Sequence, residues 1–424
     1  MKKGALLALV AAVVFSSVFS ARVVGQQGGQ QVQLPEGAGK EAVQANCTKC
    51  HGLNLITNYW GDTRQGWETL FGSMVALPAD QKAAVSGYLA TNFPLKPSTH
   101  AAKIIPGPVQ VNFREWAAPT LGQRPHDPLA AGDGSLWWSG HFGHRLGRID
   151  PRTNEIKEFP LPAGSGPHGL IDDRQGNVWY TGIMKQVIGK LDPKTGQTTE
   201  YPVQKALPEA RGPHTPIFDQ KGNLWFTLQS GHVGRLIPSS GEMKIVGAPS
   251  NKPGAPTYPY GIRVDSKGTP WYVDFRGNRI ASVDPNTMAI KEITLPNAES
   301  RPRRIAITSD DAIWYTDYTR GTIGRYDQKT GQIKEWPSPG GPDSEPYGIA
   351  TVGSIVWYSE SNVRPNTLVR FDPASERFQT WAIPSMGHVV RHMVATSNGN
   401  LVLAESGINK VALAEVAGGG NRTN

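Results

Sequence analysis

The sequence predicts a small all-α domain followed by an all-β, seven-bladed propeller. Three observations carry this: helical periodicity confined to residues 36–93, one Trp-centred phrase that returns seven times downstream, and a composition rich in turn formers. Of 424 residues, 48 are Gly and 34 are Pro, while only 18% are charged. Such a chain needs more than one domain. Its net charge of +8 is mild for this length and points to solubility or an acidic partner, not to nucleic acid.

The opening "MKKGALLALVAAVVFSSVFSA" has two lysines, an apolar run and then small residues. That order is the order of a secretory signal, assigned to residues 1–25, with cleavage after Ser20 or after Gly25. An uncleaved anchor is the rival reading, but the run is barely long enough to cross a bilayer and contains several serines. The mature chain is therefore expected to be periplasmic or otherwise exported, without a transmembrane segment.

Residues 33–99 form the first domain. "EAVQANCTKCHGL", "TRQGWETLFGSMVAL" and "PADQKAAVSGYLATNF" read as successive helices, with Pro78 and Asp80 opening the third and Val85 and Leu89 on its inner face. Cys47 and Cys50 are the only cysteines in the chain, and His51 follows directly. C-x-x-C-H is the covalent attachment signature of haem c: the thiols add to the vinyl groups and His51 is the proximal iron ligand. Fewer than seventy residues make a thin core, so a haem would also serve as packing. Met74 is the only methionine in this stretch and is the candidate sixth ligand; its other reading is a core side chain at helical spacing from Leu70. This segment alone resembles class I cytochromes c, a resemblance that implies electron transfer to a redox partner protein. The Pro-rich stretch 94–108 leads across a linker placed at 100–110.

Downstream, "GSLWWSG", "GNVWYTG", "GNLWFTL", "GTPWYVD", "DAIWYTD", "SIVWYSE" and "GNLVLAE" align Trp137, Trp179, Trp225, Trp271, Trp314, Trp357 and Val402. The period of some 40–50 residues is that of propeller blades. Within each period, Gly, Asp and Pro turns divide four short strands, and the Trp pairs are expected between blades as core. "VNFREWAAP" has no blade of its own, and the last period lacks that phrase. Residues 111–117 should therefore complete the seventh blade, giving a propeller over 111–416 and a flexible tail over 417–424.

A Pro-x pair opens six of the inner strands and Val390-Arg391 the seventh, which brings His126, His168, His214, Tyr260, Arg303, Tyr347 and Arg391 to one mouth of the central channel. The position three after each Trp approaches the same face and carries Asp274, Asp317, Glu360 and Glu405. Three imidazoles could hold a transition metal, or His and carboxylate could serve as base and acid; a plain turn role is the third reading.

The periods across 111–416 resemble the streptogramin B lyases, seven-bladed propellers. The resemblance implies a magnesium-assisted elimination that opens a cyclic depsipeptide, using Pro-His in one blade, Glu-Pro-His in the next and a further Glu. Here Glu345-Pro346-Tyr347 keeps the first two residues and puts Tyr in place of His. In another register His126 and His168 form the pair, with Gly166 in place of the Glu. The candidate catalytic residues are thus His126, His168, His214, Glu345 and Tyr347, with magnesium or a transition metal as a candidate occupant of the mouth. Because elimination needs no electrons, the sequence favours an oxidoreductase-type haem protein or electron-transfer partner, whose propeller binds an unidentified small molecule. A carbon–oxygen lyase, or a binding propeller with an attached cytochrome, is the alternative.

Overall fold

The computed structural model describes residues 32–49, 52–96, 100–249 and 257–417. The expected signal segment, Cys50, His51 and the tail from 418 onward lie outside these residues. Among the described residues, no helix is long and apolar enough to cross a membrane.

Four helices precede the propeller: α1 (Lys40–Cys47), α2 (Asn54–Thr57), α3 (Arg64–Gly72) and α4 (Ala79–Asn92). Thr63 caps α3 by accepting the Gly66 N–H at 3.0 Å, and Asp80 sits in the first turn of α4, where the helix dipole favours an acid. Val43, Trp67, Phe71, Val85, Tyr88 and Leu89 form one core cluster. Trp67 donates its indole N–H to the Phe93 carbonyl at 2.9 Å, and Tyr88 its hydroxyl to that of Pro35 at 2.6 Å. Both polar tips are thereby satisfied inside an apolar setting.

The described strands form seven four-stranded antiparallel sheets. Blade one begins with Pro125–Ala130 and blade six with Pro346–Val352. The Trp residues are buried, as their spacing predicts. What holds them is the preceding turn: Asp173, Asp219 and Asp265 each accept the N–H four residues on and the indole N–H six residues on, at 2.8–3.1 Å. One carboxylate thus fixes both the turn and the aromatic anchor.

The ring closes as the orphan phrase requires. Gln110–Ala117 pairs with Lys410–Ala417 from Gln110↔Ala417 to Ala117↔Lys410, so the strand begins one residue before the expected boundary and Ala417 belongs to the last strand. The segment leading into it is tied down: Ile105 exchanges hydrogen bonds with Thr380 at 2.7 and 3.0 Å, and Val109 is buried beside Trp357. Residues 100–109 are laid along blade six instead of acting as a free spacer.

Candidate functional site

In all seven blades the inner strand changes register just after its first residue, for example between Pro125 and Pro128 and between Pro302 and Ile305. Such bulges re-aim side chains. Here the Pro-x residue and its successor both reach the channel, giving an upper tier that includes His126, His168 and His214 and a lower tier that includes Asp127, Thr215, Arg304 and His392. The upper tier is legible from the Pro-x spacing. The lower one was missed, although "PHD", "PHT", "PRR" and "VRH" carry it as a second polar residue in the same phrase.

A hydroxyl two residues after the Trp staples blades one, two, three, five and six to the next; blade four has Val273 at this position, and in blade seven Ser406 takes the part from a different position. Ser139, Thr181 and Thr227 donate to the carbonyls of His168, His214 and Tyr260, each at 2.6 Å, and accept N–H groups of their own inner strands. Blade seven reaches blade one likewise, Ser406 to Pro125 O at 2.6 Å. Gly169 permits the closest approach, since a Cβ there would lie 2.3 Å from Pro216 Cδ and 2.4 Å from the His214 carbonyl. The rings consequently crowd together, each tilted against the next: ring centroids are 3.7 Å apart for His126–His168, 3.9 Å for His168–His214 and 3.8 Å for His214–Tyr260, with interplanar angles of 44°, 43° and 45°. His141, a residue the spacing does not flag, joins them 5.5 Å from His126.

Below the imidazoles, Arg304 crosses the channel to Asp127, with Nη2 to Oδ1 at 2.7 Å and Nη1 to Oδ2 at 3.3 Å. His126 Nδ1 donates to the same carboxylate at 2.9 Å, leaving Nε2 with its lone pair. His141 donates Nδ1–H to the Pro167 carbonyl at 3.1 Å, with the same consequence. Burial lowers the pKa of His126, His168, His214 and His392 well below the usual imidazole value, and neighbouring charges add to it, chiefly Arg391 for His126 and Arg304 for His214 and His392. His141 falls to about 4 by burial and the Arg124 charge. These imidazoles are neutral at pH 7.

The other half of the mouth is phenolic and guanidinium-rich. Tyr260 and Tyr347 share a hydrogen bond of 2.6 Å, and Arg303 lies 3.8 Å over the Tyr347 ring. Burial works to raise the Tyr347 pKa, but Arg303, Arg391 and Arg304 outweigh it and bring it below the ordinary phenol value. Glu345, raised by burial, accepts the hydroxyl of Tyr318. The expected carboxylate side of the mouth does not form. Asp274 is paired to Arg279 and Asp317 to Arg320, while Glu360 accepts from Ser338, Thr367 and Gly340 N–H. Glu405 is buried without a hydrogen-bond partner.

Above the channel, where helices and propeller meet, lies a cavity of 460 Å³. Cys47, Trp67, Leu70, Phe71 and Met74 line it from the helical side, and Arg124, Met386, His388 and Arg391 from the propeller. The two parts are locked together by Arg364, which bonds Asp62 Oδ2 at 2.8 Å and the Gly61 carbonyl at 2.9 Å, and by Tyr59 against His388 at 3.3 Å. Gly122, at φ 67°, donates to the Ser73 carbonyl at 3.0 Å; a Cβ there would sit 2.8 Å from the Met74 oxygen. Met386, Gly387, His388 and Val389 are successive left-handed residues, a strained run held over the cavity by Asn366. Cys47 and Met74 thus share one wall system; Cys50 and His51 lie outside the described residues.

Ligand atoms of His126, Asp127 and His168 lie within 4.8 Å of one another. Imidazoles of this kind suit a borderline transition metal, with Asp127 behind His126 as its orienting carboxylate. Magnesium asks for oxygen ligands, and the trio offers a single carboxylate already engaged by Arg304.

A family model described as the virginiamycin B lyase family matches residues 98–253 and 250–422. The chain belongs to that family. Of solved structures, a streptogramin B lyase is 24% identical, with a TM-score of 0.64, covering 72% of this chain and 98% of its own. Virginiamycin B lyase from Staphylococcus aureus is 22% identical at the same TM-score, covering 72% and 99%; an inactive variant of it was determined with quinupristin. Hydrazine synthase of Kuenenia stuttgartiensis, 13% identical with a TM-score of 0.57, covers 69% of this chain and 95% of its own. At these identities the structures establish the fold. No curated protein matches the chain. Family membership thus covers the propeller and leaves the helical part outside the matched residues.

Proposed function

We propose that the chain is an exported haem c protein in which the cofactor occupies the cavity between the helices and the propeller mouth. The observation that carries this reading is the placement of Cys47 and Met74 on one apolar cavity of 460 Å³ beside Trp67, Leu70 and Phe71. Covalent attachment would use Cys47 and Cys50, with His51 and Met74 as axial ligands. Bound there, the group supplies one-electron exchange. The apolar walls exclude water from its edge. At the adjoining mouth the neutral imidazoles hold a small substrate and accept its proton, with Asp127 orienting His126 for that role. The purified protein should keep its haem through acid–acetone extraction, and Met74→Ala should lose the sulfur-to-iron band at the red end of the oxidised spectrum. A protein without covalent haem overturns the reading.

Family membership favours a second reading, elimination on a cyclic depsipeptide. Tyr347, drawn toward the phenolate by its arginines, would be the base where the family pattern places a His. Incubation with quinupristin and chromatography for the linear product decides it: turnover that Tyr347→Phe abolishes supports a lyase, and an intact ring excludes it.

A further inference from the structure

The cavity is apolar over most of its wall, yet it carries four cationic side chains, Lys49, Arg124, Arg364 and Arg391, and no carboxylate among its described lining residues. Arg364 is accounted for by Asp62. Arg124 and Arg391 are not. Among the described residues neither guanidinium has a hydrogen-bond acceptor or an acidic partner, and Arg391 Nε is buried with no acceptor. Asp127, three residues after Arg124, is already claimed by Arg304 and His126. The Arg124 side chain is held over the Phe142 ring at 4.8 Å, from a left-handed backbone position directly before Pro125. Its pKa is lowered to about 9, first by burial and then by the Arg391 charge, so the two guanidiniums sit in each other's field.

Holding two like charges together at an apolar surface is costly unless a counter-charge joins them. Guanidiniums present forked N–H donors that match carboxylate oxygens in pairs. The surroundings also select against a metal dication at this spot, because every charged group on the cavity wall has the same sign. We propose that Arg124 and Arg391 form a carboxylate-binding pair where the cavity opens onto the channel. The carboxylate has two sources. One is the propionates of the cofactor, which rests on the haem reading above; the other is a free carboxylate substrate held against the imidazole tier, which does not.

The test uses the full chain as purified, with Arg124→Gln, Arg391→Gln and the charge-keeping Arg→Lys partners, titrated calorimetrically with sodium formate against sodium chloride blanks. The reduction potential is followed from pH 5 to 9. If the site serves a free carboxylate, wild type binds formate, each Gln variant weakens it by at least about tenfold, and Lys restores part of the loss. If propionates fill the site, the holoprotein does not bind formate, and both Gln variants have a lowered, more pH-dependent potential that Lys corrects. Wild-type protein that ignores formate, with a potential unchanged in both Gln variants, overturns the pair. Should the purified chain carry no haem, the haem reading falls, and formate binding alone then decides the pair, present or absent.

Discussion

The helical unit and the propeller solve the same problem, enclosing apolar surface, in opposite ways. Every blade of the propeller has a neighbour on each side, and its Trp and aliphatic residues meet those of the next blade in buried clusters, as Trp225 does with Ile262 and Tyr272. The helical unit has one cluster. Leu70 and Met74 turn instead to a cavity shared with the propeller mouth. The difference teaches where polar chemistry can be afforded. A ring that is stable through its blade interfaces can line its axis with imidazoles and guanidiniums; a small bundle must be completed from outside, by docking and by what fills the cavity.

The largest break in this comparison should come from opening the ring. Deleting residues 110–117 removes the outer partner of Lys410–Ala417 along its whole length and uncovers the apolar surface on which Val111, Phe113 and Trp116 pack. We expect a loss on the order of 5 kcal/mol or more in chemical denaturation. Deleting residues 32–99 should change the propeller's own transition far less, because the bonds it removes, such as Arg364–Asp62, lie at its rim. Equal losses in the two truncations would show that the propeller leans on the bundle.

Acid should strike the two regions unequally. Histidines whose folded pKa is depressed bind fewer protons than the unfolded chain once the pH drops below the ordinary imidazole value of 6.5, so stability is intact above that value and is lost as pH falls beneath it. For His141, depressed to about 4, the loss across this window is about 3 kcal/mol, and His126, His168 and His214 act in the same direction. His126→Asn should flatten the slope of stability against pH between 6.5 and 4. The bundle has no histidine among its described residues, so its amides should keep their hydrogen-exchange protection while those of the inner strands lose theirs. A slope identical in His126→Asn and wild type would sink the assignment.

Sequence spacing reached the blades and one tier of the site because both are periodic. Trp137 to Val402 count the blades, and the Pro-x pairs bring His126, His168 and His214 together by topology alone. Spacing could not reach Arg304–Asp127, which joins residues from blades five and one across the axis and depends on a bulge that only the folded strand reveals. Nor could it foresee that Asp274, Asp317 and Glu360 spend their charges on local donors, since that choice depends on which turn each faces. Arg124 precedes its Pro in a conformation disfavoured for that position, so its place on the cavity wall reads as a tertiary fact. The haem attachment motif is specific as a string of residues; the cavity beside Cys47 and Met74 is where the proposed cofactor would lie.

The finest probe of the contrast is a single methyl group. Gly169→Ala would set a Cβ within 2.4 Å of the His214 carbonyl and 2.3 Å of Pro216 Cδ, both rigid atoms of the adjacent inner strand. Neither can rotate away, so blades two and three must separate by about 1 Å to reach ordinary contact, at a cost of roughly 3 kcal/mol or more. The same shift lengthens the Thr181 bond to His214 O, now 2.6 Å, and opens the 3.9 Å tilted contact of His168 with His214. Gly72→Ala in the bundle is the counterpart, with no atom within 4 Å of the added Cβ and a helix that prefers Ala. It should be neutral or slightly stabilising. If Gly169→Ala were equally silent, the inner strands would have slack, and the close approach of the imidazole rings would owe nothing to glycine.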